Sequence, residues 1–470
     1  MDTAFDLAVI GGGVNGAGVA RDAAGRGARV LLLEKDDLAS GTSSASTKLV
    51  HGGLRYLEYR EFRLVREALG EREKLWGIAP HIIRPMRFVL PHTPGLRPAW
   101  MLRAGLFLYD HIGGRKRLPV ADTVNLAHHP AGAPLAPGFS TAFEYSDAWV
   151  DDARLVVLNA MDAAAHGATI RTRTQVTGAR REGGLWRIGT SGGSFTARAL
   201  GNAAVRLNTR EGIRLVRGSH IVVPQLFDHD YAYIFQLPDT RIVFAIPYEG
   251  AFTLIGTTDA EHEGSLDDVR ASAAEIAYLC EAAGRYFARP VSPDDVVWSY
   301  SGVRPLIDDG SGRPEAATRG YRMDASPEED GAPLLTIYGG KITSYRHVAQ
   351  EAVDRVAARL PALSGPRWTA SAPLPGGDFA TGEIDVLVAD LARRFPFLGP
   401  EQALRIGRAY GTFALRWLGT AARAADLGRD FGGGLTEAEV AYLRDAEWAV
   451  TAEDILWRRT KTGLHMSADQ

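Results

Sequence analysis

The stretch that decides the fold is Phe5-Asp6-Leu7-Ala8-Val9-Ile10-Gly11-Gly12-Gly13-Val14-Asn15-Gly16, followed further on by Val30-Leu31-Leu32-Leu33-Glu34. The apolar run from Phe5 to Ile10 ends in glycine and predicts a short strand. The small residues from Val14 to Gly25 predict a helix, and Val30 to Leu33 predicts a second strand. This order predicts a βαβ unit at the start of the chain.

The glycines of this unit point to a nucleotide. Gly11, Gly13 and Gly16 satisfy the G-x-G-x-x-G pattern between a predicted strand and a predicted helix. Glycines there let backbone N–H groups approach a pyrophosphate at the helix N-terminus. Glu34 closes the second strand, where a carboxylate can accept hydrogen bonds from ribose hydroxyls and would repel a 2′-phosphate. The sequence therefore predicts a dinucleotide site, while the spacing alone leaves NAD and FAD open.

The composition limits the class of protein and the ligands that the chain can bind. The 470 residues are 46% hydrophobic and 23% charged, which predicts a globular protein with roughly three domains' worth of chain. With 53 basic and 56 acidic side chains, no overall field recruits nucleic acid. The single cysteine, Cys280, excludes an intrachain disulfide and fits a reducing compartment. No cluster of histidine, cysteine and carboxylate has the spacing of a metal site, so no metal is predicted.

Local patterns predict elements further along the chain. Residues 155–165 and 275–287 read as helices, and glycine pairs at 183–184 and 192–193 read as hairpin turns. The run Gly339-Gly340-Lys341 precedes a predicted helix over 343–360, which places a second glycine-rich loop at a helix N-terminus. After Leu374-Pro375-Gly376-Gly377, the remainder is predicted to be mostly helical.

One apolar segment is unusual. Residues 98–112 form a predicted helix whose apolar side chains cover most of its surface, but Arg103 and Asp110 make a spanning helix unfavourable. The basic residues around it, Arg97, Arg103, Arg115, Lys116 and Arg117, suit anionic lipid headgroups. A core helix with a basic loop after it and a peripheral membrane anchor both explain the pattern. The N-terminus has no basic region of the kind that opens a signal peptide.

Longer segments are similar to a known family, the FAD-dependent, quinone-linked glycerol-3-phosphate dehydrogenases. The segments that carry this resemblance extend over nearly the whole chain: residues 11–18, 42–57, 86–88, 97–101, 149–155, 218–224, 256–259, 300–306, 339–343 and 454–461.

The resemblance implies an α/β fold with a glutathione-reductase-like FAD-binding domain, a strand-rich substrate cap and a C-terminal helical domain. It implies that the FAD-binding domain is discontinuous. The predicted divisions are 1–75, 150–212 and 300–362 for that domain, 76–149 and 213–299 for the cap, and 374–470 for the helical domain.

The resemblance also implies the cofactor site. Non-covalent FAD is predicted, since no histidine or cysteine attachment motif is present. The predicted FAD-binding residues are Gly11, Gly13, Asn15, Gly16, Glu34, Thr42, Ser43, Ser44, Lys48, His51, Gly53, Gly339, Gly340 and Thr343. One departure matters: the family's Asn-Ala-Thr-Gly-Pro-Trp turn is here Asn202-Ala203-Ala204-Val205-Arg206-Leu207. Val205 replaces a residue that lacks a Cβ, so weaker FAD binding is predicted at most.

For the substrate, the resemblance implies sn-glycerol 3-phosphate and a cluster of cations that binds its phosphate. Arg55, Arg304, Arg319 and Lys341 are predicted to bind substrate, with Tyr56 beside them. His220, Lys341 and Arg304 are the predicted catalytic residues. His220 is the proposed general base, because an imidazole accepts a proton near neutral pH; Lys341 and a water molecule are the alternatives.

The predicted reaction is oxidation of sn-glycerol 3-phosphate to dihydroxyacetone phosphate by hydride transfer to FAD, with electrons passed to quinone. A glycerol-3-phosphate oxidase that uses O₂ is the enzymatic alternative. A flavin-deficient, membrane-associated binding protein is the alternative from another class. The predicted location is cytoplasmic, peripherally bound to the inner face of the cell membrane through an anionic lipid surface, and the resemblance allows a homodimer.

Overall fold

The computed structural model describes residues 4–58, 60–93, 97–113, 117–204, 213–239, 241–307, 320–467 and 469–470. The helices are α1 (Val14–Gly25), α2 (Phe62–Ile78), α3 (Ala99–Ile112), α4 (Asp152–Ala165), α5 (Ala273–Gly284), α6 (Tyr345–Ala357), α7 (Ile384–Arg394), α8 (Pro400–Tyr410), α9 (Ala414–Leu418) and α10 (Glu437–Glu447). The strands are β1 (Phe5–Ile10), β2 (Val30–Leu33), β3 (Leu49–Val50), β4 (Ile83–Pro91), β5 (Asp122–Asn125), β6 (Thr141–Val150), β7 (Thr169–Arg171), β8 (Val176–Glu182), β9 (Leu185–Thr190), β10 (Gly193–Asn202), β11 (Ile213–Pro224), β12 (Ala232–Gln236), β13 (Ile242–Tyr248), β14 (Phe252–Gly256), β15 (Ala260–Glu261), β16 (Trp298–Ile307), β17 (Tyr321–Ala325), β18 (Leu334–Gly339), β19 (Asp430–Gly432) and β20 (Leu435–Thr436).

The first sheet carries the βαβ unit. Its strand order is β17-β18-β10-β1-β2-β7, and β9 and β8 extend from β10. The pairings of β1 with β10 and with β2 are both parallel. Apolar side chains of α1, α4 and α6 form one core with this sheet, in which Val9 and Leu32 are fully buried. The carboxyl ends of β1 and β2 therefore open at one edge, where ligands bind in parallel sheets.

The second sheet is mostly antiparallel, in the order β15-β11-β14-β13-β12-β4-β6-β3. Strand β16 pairs with β11 along its whole length, from Ile307 to Trp298. One face of this sheet packs on α5, and the other packs on α2 and α3. This sheet is the predicted strand-rich cap.

Two parts of the predicted FAD-binding ranges pair with the second sheet. Leu49–Val50 form β3, which pairs with β6. Residues 300–307 belong to β16, which pairs with β11. The register between β11 and β16 is extended and begins at Val222 opposite Trp298. The chain returns to the first sheet only after Ile307.

The C-terminal region is the predicted helical domain. Apolar side chains of α7, α8 and α10 form a separate core that includes Leu391, Ile406 and Leu443. A single turn of π-helix, Asp454–Arg459, follows α10 and returns to the rest of the molecule.

The predicted strands Phe5–Ile10 and Val30–Leu33 and the predicted helix Val14–Gly25 are observed with the same bounds. Two later helices agree in type and differ at the ends. The predicted helix over 343–360 is observed over 345–357, and the one over 275–287 is observed over 273–284. The second begins earlier because Ser272 and Glu275 form a capping box.

Candidate functional site

A cavity of about 1500 Å³ lies between the two sheets. The glycine loop after β1 and Glu34 after β2 line one part of it. Strand residues His220 and Arg304 line another part, together with Lys341 from the loop after β18. The cavity therefore joins the predicted dinucleotide site to the predicted substrate site.

The glycine loop is shaped by close backbone approaches. Gly11 has a φ of +106°, and a Cβ on Gly16 would lie 1.9 Å from the carbonyl oxygen of Gly11. Side chains at these positions would push the loop away from the helix start. Gly13 stands at the N-cap of α1, so the exposed N–H groups of the first turn are not capped by that residue. This cradle is the kind that a pyrophosphate fills.

Glu34 is held at the end of β2 by backbone donors. The N–H of Gly12 donates to its Oε2 at 2.6 Å, and the N–H of Asp36 donates to its Oε1 at 2.9 Å. Burial raises the pKa of Glu34, although these two N–H groups act in the opposite direction. The carboxylate keeps further acceptor capacity for ribose hydroxyls.

The residues at this end fit FAD. Asn15 donates from its Nδ2 to the carbonyl oxygen of Gly339 at 3.1 Å, which links the glycine loop to the second glycine-rich loop. Its buried Oδ1 has no partner among the described residues and is available to a ligand donor. Ser43 Oγ accepts from the N–H of Val14 at 2.9 Å. Backbone donors, a carboxylate acceptor and a helix N-terminus thus meet along one groove.

A loop over residues 42–53 crosses between the sheets. Thr42 Oγ1 donates to the carbonyl oxygen of Val303 at 2.6 Å, and the N–H of His51 donates to Thr343 Oγ1 at 3.2 Å. Gly53 has a φ of +76°, and a Cβ there would lie 2.1 Å from the ring of Tyr56. This loop therefore brings predicted flavin-binding residues to the cavity wall.

Most of the predicted site residues line the cavity. They are Gly11, Gly13, Asn15, Glu34, Thr42, Ser43, His51, Gly53, Tyr56, His220, Arg304, Gly339, Gly340, Lys341 and Thr343. Gly16 lies just beneath this lining, packed on Gly11.

Lys48 and Ser44 do not line the cavity. The Lys48 side chain is buried and turned away from the cavity, with its Nζ 2.7 Å from Asp152 Oδ1 and 3.1 Å from the carbonyl oxygen of Ser44. The reason is an opposite charge at the start of α4, which offers a buried ammonium a better partner than the cavity does. The Lys48 side chain therefore supports the loop, and contact of Lys48 with the cofactor stays a prediction.

Arg304 faces the cavity from β16. Its Nη2 donates to Asp259 Oδ1 at 2.7 Å and to the carbonyl oxygen of Thr258 at 3.0 Å. Gly218 of the neighbouring strand β11, two residues beyond the partner of Arg304 in the register, leaves room for it, since a Cβ there would lie 2.7 Å from the guanidinium. The Asp259 side chain is only 8% exposed. Arg304 is thus a partly exposed cation that is oriented by a buried carboxylate.

Lys341 and Tyr56 meet at the same cavity. The Nζ of Lys341 lies 3.9 Å from the centroid of the Tyr56 ring, within the range of a cation–π contact. Tyr56 belongs to a short 3-10 helix, Leu54–Leu57, at the end of the crossing loop. The side chain of Arg55 and all of Arg319 lie outside the described residues, as do Val205, Arg206 and Leu207 of the altered turn.

His220 is buried on β11 and stacks on Tyr300 at 4.9 Å. Its Nε2 lies 3.0 Å from Thr47 Oγ1, and Gly256 opposite it has no side chain to displace the ring. Burial, followed by the charges of Lys48 and Arg304, holds the pKa of His220 well below its ordinary value. The imidazole is therefore neutral and able to accept a hydrogen bond at neutral pH.

Two buried clusters that sequence reasoning missed support the cavity wall. Glu275 accepts from Ser219 Oγ at 2.8 Å and from Thr258 Oγ1 at 2.9 Å, next to His220 and to the Arg304 partners. The Ser272-x-x-Glu275 spacing signals a helix cap but not this second contact. In the other cluster, Tyr109 donates to Asp147. Only tertiary structure brings those two residues together.

Helix α3 has a buried and an exposed side. Leu102, Leu106 and Tyr109 are buried, whereas Trp100 is 71% exposed and Phe107 is 67% exposed. The core-helix interpretation therefore describes only half of its surface.

Within the described ranges, no helix has the length and apolar character needed to cross a bilayer. Nor does any group of three or more histidine, cysteine or acidic side chains in those ranges form a candidate metal site.

Comparisons with known proteins agree with this geometry. The family described as FAD dependent oxidoreductase matches residues 6–346, and the C-terminal domain of alpha-glycerophosphate oxidase matches residues 367–469. A glycerol-3-phosphate dehydrogenase of Pseudomonas aeruginosa is 51% identical, covering 99% of this chain and 93% of the relative. A D-erythritol 1-phosphate dehydrogenase of Brucella abortus is 52% identical, covering 98% of this chain and 95% of the relative.

Among solved structures, a glycerol-3-phosphate dehydrogenase of Bacillus halodurans complexed with FAD superimposes with a TM-score of 0.76 at 27% identity. The superposition covers 98% of this chain and 86% of that one. The predicted family, fold class and flavin cofactor are therefore confirmed. From the sequence matches and the shared fold together, this chain belongs to the FAD-dependent oxidoreductases of the glycerol-3-phosphate dehydrogenase family.

Proposed function

We propose that this enzyme oxidises the secondary hydroxyl of sn-glycerol 3-phosphate to the ketone of dihydroxyacetone phosphate. The observation that carries the proposal is that Arg304, Lys341 and His220 line the same cavity as the dinucleotide groove. The two cations suit a dianionic phosphate, and the neutral imidazole suits a hydroxyl proton. These are the groups that oxidation of a phosphorylated alcohol requires.

Phosphate binding is assigned to Arg304 and Lys341. Arg304 offers a planar fork of donors, part of which Asp259 already orients, and Lys341 adds a point charge. We also retain Arg55 and Arg319 in this role from the sequence. A pair of unlike cations favours a phosphate over a neutral polyol, because each interacts with the doubly charged group.

His220 is assigned as the base that accepts the proton of the substrate hydroxyl. When bound, FAD supplies the acceptor of the hydride that leaves the carbon bearing that hydroxyl. The hydroxyl proton then moves to a base, and the His220 imidazole is in its neutral, accepting form. Thr47 Oγ1 fixes the ring orientation by its contact with Nε2. Lys341 and a water molecule remain the alternatives for this step.

The test begins with the purified protein. A flavin absorption spectrum is expected, and acid precipitation is expected to leave the flavin in the supernatant because binding is non-covalent. Anaerobic addition of glycerol 3-phosphate is expected to bleach the flavin, whereas unphosphorylated glycerol at the same concentration should not. A protein that is colourless and does not take up FAD, or that is reduced equally by both alcohols, would overturn the proposal.

A second substrate has support from the comparisons. The relative named D-erythritol 1-phosphate dehydrogenase is as similar to this chain as the named glycerol-3-phosphate dehydrogenases are. A terminal phosphate is common to both substrates, so the same cations serve either. The ratio of kcat/KM for glycerol 3-phosphate and erythritol 1-phosphate decides between them, and a value above one is expected.

Quinone is the proposed electron acceptor. Supporting this, the cavity continues along apolar side chains to α3, where the buried Leu102 and the exposed Met101 and Leu108 line it together with Gly105. A Cβ on Gly105 would meet nothing within 4 Å, so this arm has room for a larger side chain. Gly105→Leu is expected to slow flavin reoxidation by a soluble quinone without slowing flavin reduction by substrate.

Measurements of both half-reactions test the acceptor. An unchanged rate of reoxidation by quinone in Gly105→Leu would argue against this arm as the quinone path. The peroxide yield with and without a soluble quinone separates a dehydrogenase from an oxidase. Nearly stoichiometric peroxide in the presence of quinone would favour the oxidase.

Peripheral binding to an anionic membrane is proposed through the exposed face of α3. Trp100 and Phe107 lie on that face with Arg103, an arrangement that suits the interfacial region of a bilayer. Trp100→Glu is expected to reduce flotation with anionic liposomes, and high salt is expected to reduce it further. Val386→Glu is the matched control, since Val386 is 67% exposed on α7. Equal flotation of both variants and the parent protein would contradict the assignment.

A further inference from the structure

We infer that the C-terminal segment Asp454–Lys461 is a positioning element of the FAD site. It belongs to the region matched by the C-terminal domain, yet its basic side chains hold the loop after β2, which borders the dinucleotide groove, and the start of α4, which contacts the crossing loop. The inference rests on FAD binding by this family and does not depend on which alcohol is oxidised.

The first contact is with the loop after β2. Arg459 makes a bidentate pair with Asp37, with Nη1 donating to Oδ2 at 2.7 Å and Nη2 to Oδ1 at 2.8 Å. Arg458 Nε donates to the same Oδ2 at 2.7 Å. Asp37 and Arg459 are both at most 1% exposed. Two guanidinium groups from the C-terminal domain thus clamp a single buried carboxylate of the nucleotide-binding domain.

This carboxylate lies in the loop that presents Glu34. Asp36, its neighbour, donates its N–H to Glu34 Oε1 at 2.9 Å. At the other end of the loop, the N–H of Ala39 donates to the carbonyl oxygen of Gly12 at 3.0 Å. The position of Asp37 is therefore coupled through the backbone to the ribose acceptor on one side and to the glycine loop on the other.

The second contact is with the start of α4. Lys461 Nζ donates to Asp151 Oδ1 at 2.7 Å, and Asp151 caps α4 by accepting from the N–H of Arg154. The next residue, Asp152, pairs with Lys48 and accepts from Ser46 Oγ at 2.8 Å. Lys461 is thus connected, through Asp151 and the adjacent Asp152, to the crossing loop that carries Thr42 and Ser43.

The segment is itself fixed in place. Arg459 also donates to the carbonyl oxygen of Glu447 at 2.7 Å, and Glu447 pairs with Arg154 of α4. Trp457 stacks on Trp298 of the second sheet at 4.7 Å. The segment therefore contacts both sheets and the helical domain. Removing one member of a buried ion pair leaves the other charge uncompensated in the interior. Loss of Arg459 should therefore displace Asp37 and the loop that carries it.

The test compares two arginines of the C-terminal region that each pair with a buried carboxylate. Arg459→Met removes the bidentate pair with Asp37. Arg405→Met is the control, because Arg405 makes an equally short bidentate pair with Glu439, 2.7 Å at each nitrogen, and does not line the cavity. Both changes are expected to lower Tm. Only Arg459→Met is expected to raise the FAD dissociation constant, by at least tenfold.

The dissociation constant is measured by titrating apoprotein with FAD and following the quenching of FAD fluorescence, with only folded protein counted. Arg459→Lys is expected to recover part of the affinity, since the charge remains and the fork is lost. Equal FAD affinity in Arg459→Met and the parent protein, or equal weakening in both arginine variants, would overturn the inference.

A second variant covers the case in which Arg459→Met does not fold. Lys461→Met removes one hydrogen-bonded charge from Asp151 and leaves the Asp37 clamp intact. It is expected to weaken FAD binding severalfold, with the flavin released faster on dilution. An unchanged release rate in folded Lys461→Met would count against the segment as a positioning element.

Discussion

The two ends of the cavity are built in different ways. At the dinucleotide end, the glycine loop and Glu34 lie within one βαβ unit and offer mainly backbone N–H groups and one carboxylate. At the substrate end, His220, Arg304 and Lys341 come from β11, β16 and the loop after β18. The first end depends on local backbone shape. The second depends on the register between strands that are distant in sequence.

The difference extends to how each end is held. Arg304 is oriented by Asp259, whose loop is in turn held by Glu275 through Thr258. The glycine loop is held by the close approach of Gly16 to Gly11 and by the N–H of Gly12, which donates to the Glu34 carboxylate. The largest expected effect on catalysis is at Arg304, because its side chain itself faces the cavity.

Arg304→Ala is expected to lower kcat/KM for glycerol 3-phosphate by roughly 30-fold to several thousand-fold. Loss of one member of a buried charge pair costs about 2–5 kcal/mol, and about 1.4 kcal/mol corresponds to a factor of ten. The variant also leaves the Asp259 carboxylate facing the substrate phosphate. Arg304→Lys should recover only part, since the planar fork is lost. The measurement is kcat/KM per flavin-containing molecule.

The control for this prediction is Arg322→Ala, which removes an exposed arginine paired with Asp324 on β17. It should leave kcat/KM unchanged. Activity on unphosphorylated glycerol gives a second comparison, because glycerol lacks the phosphate whose binding we propose for Arg304. If Arg304→Ala weakens both substrates equally, or neither, its assignment to the phosphate is wrong.

The comparison of the two ends also explains what the sequence could predict. The βαβ unit was predictable because strand, glycine loop, helix and Glu34 follow one another directly. The cations at the substrate end were identified only by family resemblance, since no spacing links Arg304 to Lys341. The burial of the Lys48 side chain could not be predicted for the same reason: its partner Asp152 lies in another element, and the residues next to Lys48 in the sequence do not show the direction of its side chain. Glu275 and Asp147 were missed because their partners meet only in the folded chain.

Helix α3 shows a further limit of pattern reasoning. Its sequence is apolar almost all round, which left a core helix and an anchor as equal alternatives. In the structure, Tyr109 and Leu106 pack inward while Phe107 faces outward. Periodicity could not separate these faces, because hydrophobicity was similar on both.

A smaller effect is expected at the dinucleotide end. Glu34→Gln is expected to weaken FAD binding by about tenfold to a hundredfold, because a hydrogen bond to a charged group contributes about 1.5–3 kcal/mol. FAD affinity of the parent protein should also fall on acidification. Burial raises the pKa of Glu34, so this fall should begin above the pH at which an ordinary glutamate titrates. Titration of apoprotein with FAD at several pH values measures both effects.

In Glu34→Gln, the pH dependence of FAD affinity over that range should disappear. Glu182→Gln serves as the control, because Glu182 lies on β8 with an exposed side chain and does not line the cavity. FAD affinity that is equal in the two variants would mean that the carboxylate of Glu34 does not contact the cofactor.

The smallest effect on catalysis is expected at Glu275, which supports the substrate end without lining the cavity. Burial alone would raise its pKa, but hydrogen bonds from Ser272, Arg217 and Ser219 outweigh burial and lower the pKa to about 2. Because the folded-state pKa is below the unfolded value of about 4.5, the stability from this carboxylate is complete above that pH. It is lost as the pH falls toward about 2.

Glu275→Gln should therefore lower Tm at neutral pH and make Tm less sensitive to acid over that window, as measured by thermal unfolding at a series of pH values. Since Glu275 holds Thr258, whose carbonyl oxygen accepts from Arg304, the variant should also raise KM for glycerol 3-phosphate while leaving FAD affinity unchanged. Glu281→Gln, on the exposed side of the same helix and paired with Arg285, should change neither property. If Glu275 supports only the substrate end, its loss should not weaken FAD binding at the glycine loop. A Glu275→Gln variant that loses FAD affinity as strongly as substrate affinity would therefore show that the two ends of the cavity are not held independently.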